Sequence, residues 1–197
     1  MRPDEYSHSS IRNLYLDTPD FRLIRRSLEK PVYKEKLRLR SYGRADREHP
    51  VFMELKKKYR SIVYKRRLTL PYGRALDCLT GDCPWPETQI GREIGYAMDF
   101  YPDLEPRVFL SYERDSWYAP ESGLRITFDD AIRFRTADLT LDSDLWGTAL
   151  LRPDQVLMEL KAPGAIPLWM VRLLTEMGLY KTSFSKYGTA YQFYWNR

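Results

Sequence analysis

Lys36-Leu37-Arg38-Leu39-Arg40, at the centre of a run from 32 to 42, decides the fold. A β-strand turns successive side chains to opposite faces. Lys36, Arg38 and Arg40 therefore share one face, and Leu37 and Leu39 the other. The same alternation recurs at Glu54-Leu55-Lys56-Lys57-Lys58, at Lys65-Arg66-Arg67 and at Glu159-Leu160-Lys161. One such strand is ordinary, because an antiparallel sheet with one wet face alternates in this way. Six segments dominated by one sign of charge are not, since solvated sheet faces mix signs and use Thr, Ser and Gln freely. The pattern points to an enclosed site for a polyanion.

Working outward, strands are expected at about 11–17, 32–42, 50–58, 62–70, 106–118, 123–134 and 155–161. Gly43 and Tyr59-Arg60-Ser61 supply turns, so the strands from 32 to 70 read as an antiparallel meander. Residues 19–29 hold a short helix or an irregular turn, and Pro71 to Thr80 a short helix closed by Gly81. Ile90, Ile94, Ala97, Met98 and Tyr101 have helical spacing over 87–100. Pro163 to Gly178 reads as a helix, with Pro167 in its first turn and Gly178 as its C-cap. The tail from Ser185 to Trp195 reads as an aromatic helix, and 136–150 as loop. The fold class is α+β: an antiparallel β-barrel tunnel with a cationic interior and helices packed outside. A barrel of about eight strands has room for one thin ligand.

Length and composition agree. The 197 residues suit one domain spanning 1–197, with 43% hydrophobic and 14% aromatic residues to form its core. A net charge of +5 favours anionic partners without naming one. Cys78 and Cys83 form a lone Cys-x4-Cys pair, neither a zinc site nor a disulfide framework, and read as reduced thiols. His8 and His49 have no catalytic companions. No apolar run is long enough for a transmembrane helix, and Met1-Arg2-Pro3-Asp4-Glu5 lacks a signal core, so a cytoplasmic protein is expected.

The charged alternates define the candidate site. They are Lys36, Arg38 and Arg40; Glu54, Lys56 and Lys58; Lys65 and Arg67; Arg114 beside Tyr112; Arg125 with Asp129; Glu159 and Lys161; and Lys186. Arg offers phosphate a planar fork, and Lys a compact point charge. Glu159, and after it Glu54, are the candidate ligands for Mn2+ or Mg2+, which prefer oxygen and bridge phosphates.

Seven segments occur in order: Asn13-Leu14-Tyr15-Leu16-Asp17-Thr18, Lys36-Leu37-Arg38-Leu39-Arg40-Ser41-Tyr42-Gly43, Met53-Glu54-Leu55-Lys56, Tyr112-Glu113-Arg114, Arg125-Ile126-Thr127-Phe128-Asp129, Val156-Leu157-Met158-Glu159-Leu160-Lys161 and Phe184-Ser185-Lys186-Tyr187. Together they resemble the VTC domain, the polyphosphate polymerase domain of the triphosphate tunnel metalloenzyme superfamily. The resemblance implies a tunnel that moves the γ-phosphate of ATP onto inorganic polyphosphate. It implies a catalytic set of Arg38, Arg40, Lys56, Arg114, Arg125, Lys161 and Lys186. Lys36, Lys65, Arg67 and Tyr112 would contact substrate, and Glu159 would hold the metal. Such members usually open with a further strand carrying a Glu-x-Lys-like motif, then a helix. Only about ten residues precede Ile11, and none carries that motif. Its loss bears on catalysis more than on fold or anion binding. A metal-dependent triphosphatase and a non-catalytic polyphosphate- or nucleotide-binding module are the alternatives. Nucleic acid is not expected as a partner, because the aromatics do not recur beside the basic alternates. Oligomeric state is not legible.

Overall fold

The computed structural model describes residues 1–195. Its elements are β1 (Arg2–Asp17), α1 (Arg22–Leu28), β2 (Tyr33–Tyr42), β3 (Pro50–Tyr59), β4 (Ile62–Pro71), α2 (Tyr72–Thr80), α3 (Gln89–Phe100), β5 (Glu105–Ala119), β6 (Leu124–Arg135), β7 (Thr148–Ala149), β8 (Leu157–Lys161), α4 (Leu168–Glu176) and α5 (Lys186–Trp195). The eight strands form one antiparallel sheet in the order β4-β3-β2-β1-β5-β6-β7, with β8 also paired to β6. Among the described residues β4 and β8 are not paired with each other, so the ladder is open there.

Three boundaries differ from the sequence reading. β1 begins at Arg2, because residues before Ile11 continue the strand against β5. The Pro163–Gly178 segment is helical only from Leu168, and Pro167 stands at its N-cap. Within 136–150, Thr148 and Ala149 add a short rung to β6. The rest of that loop is pinned by two buried arginines. Arg12 Nη1 donates to the Leu141 carbonyl at 3.1 Å, and Arg135 Nε to those of Ala137 and Asp138 at 3.1 and 3.0 Å.

Strand parity sorts the two faces. Leu37, Leu39, Val51, Met53 and Leu55 point outward into a core closed by Ala75 of α2 and by Ile94 and Ala97 of α3. Met170 of α4 packs with Ile126, on the outer side of β6. The inner face carries the charges, but not throughout. A bulge between β5 and β6 coincides with Ala131 at φ 44 and shifts the register. The extra residue reverses parity, so Ile132 and Phe134 join Leu110 and Tyr112 on the inner face. Phe21, Ile24, Tyr187 and Ala190 pack onto this apolar end. α5 therefore covers one end of the charged face, with Tyr187 stacked on Tyr15 at 4.5 Å.

The Asp17-Thr18 segment organises that corner. The fully buried Asp17 carboxylate accepts from the backbone N–H of Leu23 and Ile24 at 2.8 and 3.0 Å, and from the Tyr187 hydroxyl at 2.8 Å. Asp17 thus satisfies the free N–H groups at the start of α1 and ties α5 to β1.

Candidate polyanion-binding site

The register brings the inner-face residues of β2, β3 and β4 into rows. Arg38 stands opposite Glu54, and Glu54 opposite Arg67; Lys36 stands opposite Lys56, and Lys56 opposite Lys65. Glu54 is the centre of this group and only 2% exposed. Its Oε2 accepts from Arg38 Nε at 2.7 Å and lies 2.6 Å from Nη2; its Oε1 accepts from Arg67 Nε at 2.7 Å and lies 2.8 Å from Lys65 Nζ. Burial alone would push the Glu54 carboxyl up, but Arg38, Arg40 and Lys65 outweigh it and hold it well below the usual range.

Six cations (Lys36, Arg38, Arg40, Lys56, Lys65 and Arg67) thus share these inner-face rows with one carboxylate, which pairs with Arg38, Lys65 and Arg67. Arg40, 5% exposed, has no ion-pair partner among the described residues. Its Nε donates to Asn13 Oδ1 at 2.9 Å and its Nη2 to the Tyr112 hydroxyl at 3.1 Å, both neutral acceptors. Lys56 is exposed, and Lys36 Nζ donates to Ser185 Oγ at 2.9 Å. Burial lowers the Lys36 ammonium, and Lys34, Lys56 and Arg38 add to the effect. Tyr15 faces Arg38 and its hydroxyl accepts from Arg38 Nη1 at 3.1 Å. Burial would raise that phenol, but Arg38, Lys36 and Arg40 bring it down to about 8. The Tyr15 shift reports an excess of positive charge that an anion would relieve.

Tyr112 joins this group to the next. Arg114 lies over its ring at 5.2 Å and Lys186 at 4.5 Å. Fully buried Asp129 accepts from Arg114 Nε and Nη2 at 2.6 and 2.7 Å, and from Lys186 Nζ at 2.5 Å. Burial raises the Asp129 carboxyl, and Arg114 with Lys186 more than offsets this. Further along β6, Arg125 Nε lies 2.9 Å from Asp4 Oδ2, without hydrogen-bond geometry. Arg125 stands opposite Lys161, whose Nζ is 3.4 Å from Glu159 Oε1.

The two candidate metal ligands are placed differently. Both Glu54 oxygens are engaged by cations. Glu159 is half exposed, with Lys161 as its sole ion-pair partner among the described residues. Thr127 stands directly across from Glu159, and Ser116 across from Thr127. The hydroxyls of Thr127 and Ser116 are buried without a hydrogen-bond partner among the described residues. A half-exposed carboxylate held by one lysine, beside orphaned hydroxyls, suits Mg2+ or Mn2+, which take one or two carboxylates and complete their shell with phosphate oxygens and water. No group of three or more His, Cys, Asp or Glu side chains able to hold an ion occurs among the described residues.

Sequence reading missed Tyr15, Asn13 and Asp4 as site members, and gave Asp129 no role of its own. Tyr15 and Asn13 share the parity of the basic rows, which was the available signal. Lys34 and Lys58, directly paired, extend the cationic rows. No helix among the described residues is long and apolar enough to cross a membrane.

No functionally described protein matches the chain. Among solved structures, a Bacillus halodurans protein provisionally assigned as an adenylate cyclase superposes with a TM-score of 0.56 at 16% identity. That match covers 98% of this chain and 85% of the other, and shows a shared fold. The family model of the VTC domain matches residues 1–194, nearly the whole charged sheet and its helices, and the chain belongs to the VTC domain family.

Proposed function

We propose that the protein is a polyphosphate polymerase-like phosphotransferase that moves the γ-phosphate of ATP onto an inorganic polyphosphate chain. The observation that carries the reading is the row of six cations on β2, β3 and β4 with one carboxylate among them, Glu54, which pairs with three of the six, Arg38, Lys65 and Arg67. Such an arrangement is costly when empty and is relieved by a ligand that spreads several negative charges along one face.

In this reading the reacting groups all belong to the substrates. A terminal oxygen of the acceptor attacks the γ-phosphorus, the bond to the β-phosphate oxygen breaks, and ADP leaves. The chain's residues position and neutralise. Arg38 and Arg40 hold phosphate oxygens through planar forks, oriented by Glu54 and Tyr15 and by Asn13 and Tyr112 respectively. Arg114 and Lys186 are aimed by Asp129. Arg125 and Lys161 flank Glu159, which with Thr127 and Ser116 would hold Mn2+ or Mg2+. A bound divalent ion supplies charge neutralisation across adjacent phosphate oxygens.

Incubation with ATP and Mn2+, followed by parallel measurement of polyphosphate, ADP and free phosphate, tests the proposal. Polyphosphate with ADP supports it. Phosphate without polymer would make the protein a triphosphatase. Binding without turnover is the second reading. It is favoured by the engagement of Glu54 and Asp129 with cations, which leaves Glu159 as the remaining acidic donor of β8.

A further inference from the structure

Cys78 and Cys83 lie away from the charged face, at the end of α2. Cys78 is buried in the last turn of the helix and Cys83 is half-buried beyond it; both are free thiols. Gly81 brings them together. It adopts φ +87, a left-handed conformation that glycine takes without steric cost, and so reverses the chain. The backbone N–H groups of Asp82 and Cys83 then both donate to the Asp77 carbonyl, at 2.8 and 3.2 Å. The Thr80 hydroxyl fastens the turn by donating to Asp82 Oδ2 at 2.6 Å. As a result the two Sγ atoms stand 2.8 Å apart.

We infer that Cys78 and Cys83 are a redox-active dithiol that closes to an intramolecular disulfide when a hydroperoxide reaches Cys83. Closure needs an approach of under about 1 Å, since an S–S bond is about 2.05 Å. The accessibilities assign the order. Cys83 is the partner that solvent reaches, so its thiolate attacks the peroxide: an S–O bond forms, the O–O bond breaks, and one water (or an alcohol) leaves after protonation. Cys78 then attacks the Cys83 sulfenic sulfur. The S–S bond forms, the S–O bond breaks, and the Cys78 proton leaves with the hydroxide as a second water. The two thiols lose two electrons, which reduce the peroxide. Burial and the neighbouring Cys83 push the Cys78 thiol up to about 12, with Arg74 opposing, which keeps Cys78 from competing for the peroxide in the first step. The closed pair would clamp the last turn of α2 to the segment leading into α3. These helices back the strands that carry Glu54 and its cations.

The test uses the full chain, reduced and then exposed to hydrogen peroxide. It is next denatured, alkylated with iodoacetamide and weighed. The reduced protein should take two alkyl groups; the oxidised protein should take none, remain monomeric and recover both on reduction with dithiothreitol. Cys78→Ser should stop at a Cys83 sulfenic acid that dimedone traps. Cys83→Ser should consume peroxide at least about tenfold more slowly, because the remaining thiol is buried. Two alkyl groups on the peroxide-treated full chain, disulfide-linked dimers as the product, or an undiminished rate in Cys83→Ser would each overturn the inference.

Discussion

Glu54→Gln should weaken the empty protein and strengthen its hold on polyphosphate. The carboxylate stands where a phosphate would be welcome, among Arg38, Lys65 and Arg67. Removing its charge leaves three cations facing one another. Breaking a fully buried pair costs about 3–5 kcal/mol. Here the side chains of Arg38, Lys65 and Arg67 are 23%, 46% and 35% exposed, so solvent takes up part of that loss. About 1–3 kcal/mol is expected, roughly 2–12 °C in melting temperature for a chain of this size. Binding should respond in the opposite sense. Arg38 Nη2 lies 2.6 Å from Glu54 Oε2. A phosphate oxygen on the far side of the guanidinium would be about 5 Å from the carboxylate, a repulsion of about 1–3 kcal/mol between the surface and bulk dielectric limits. Its removal should tighten polyphosphate binding by roughly 5-fold to 150-fold at low salt. The assay is a thermal melt with and without polyphosphate, beside a binding titration at two ionic strengths. The amide keeps the shape of the carboxylate it replaces. A variant that binds polyphosphate no better than wild type, with its melting deficit unrepaired by ligand, would therefore refute the reasoning.

Tyr15 gives a pH signature. Its phenol is lowered to about 8, so one tyrosine should show phenolate absorbance near that pH. A depressed acid contributes stability above its unfolded value of about 10 that is lost as pH falls through about 8. Polyphosphate should move the transition upward, and Tyr15→Phe should abolish it; a first tyrosine transition near 10 would contradict the cation excess. Glu159→Gln should collapse Mn2+-dependent turnover while metal-free polyphosphate binding survives or tightens. Unchanged turnover at an unchanged metal requirement would remove Glu159 as the ligand. Arg125→Ala should cost about 1.5–3 kcal/mol of polyphosphate binding but under about 1 kcal/mol of stability, since its pairing with Asp4 is open to solvent. A sharp fall in melting temperature with binding intact would make Arg125 structural.

The alternation of charge was legible because parity within a strand is a local property. Lys36, Arg38 and Arg40 needed no partner strand to be assigned one face. The pairing of charges was not legible, because it depends on register between strands. Glu54 could be read as a metal ligand until Arg38 and Arg67 were found on either side of it. Asp129 was visible beside Arg125, yet its partners are Arg114 across the ladder and Lys186 from α5. The bulge at Ala131 was hidden too. No glycine marks it, and it alone turns Ile132 and Phe134 inward to receive α5. Asp17 read as a strand terminator, which it is, but its helix capping and its bond to Tyr187 depend on tertiary contacts.

These registers leave the two halves of the charged face unequal. On β2, β3 and β4 six cations stand beside one carboxylate, Glu54, which pairs with three of them. On β6, β8 and their neighbours, Arg114, Arg125, Lys161 and Lys186 meet three carboxylates, Asp129, Asp4 and Glu159. A polyanion gains most where charge is least compensated, so under the proposed function the first half would be the grip. The second half is nearly neutral; under the proposed function its carboxylates would aim cations or, at Glu159, accept a metal ion. A long phosphate chain would be held by β2 to β4 whatever happens at Glu159. Affinity and turnover are thereby separable by residue, which is why the substitutions at 54 and 159 are expected to move different observables.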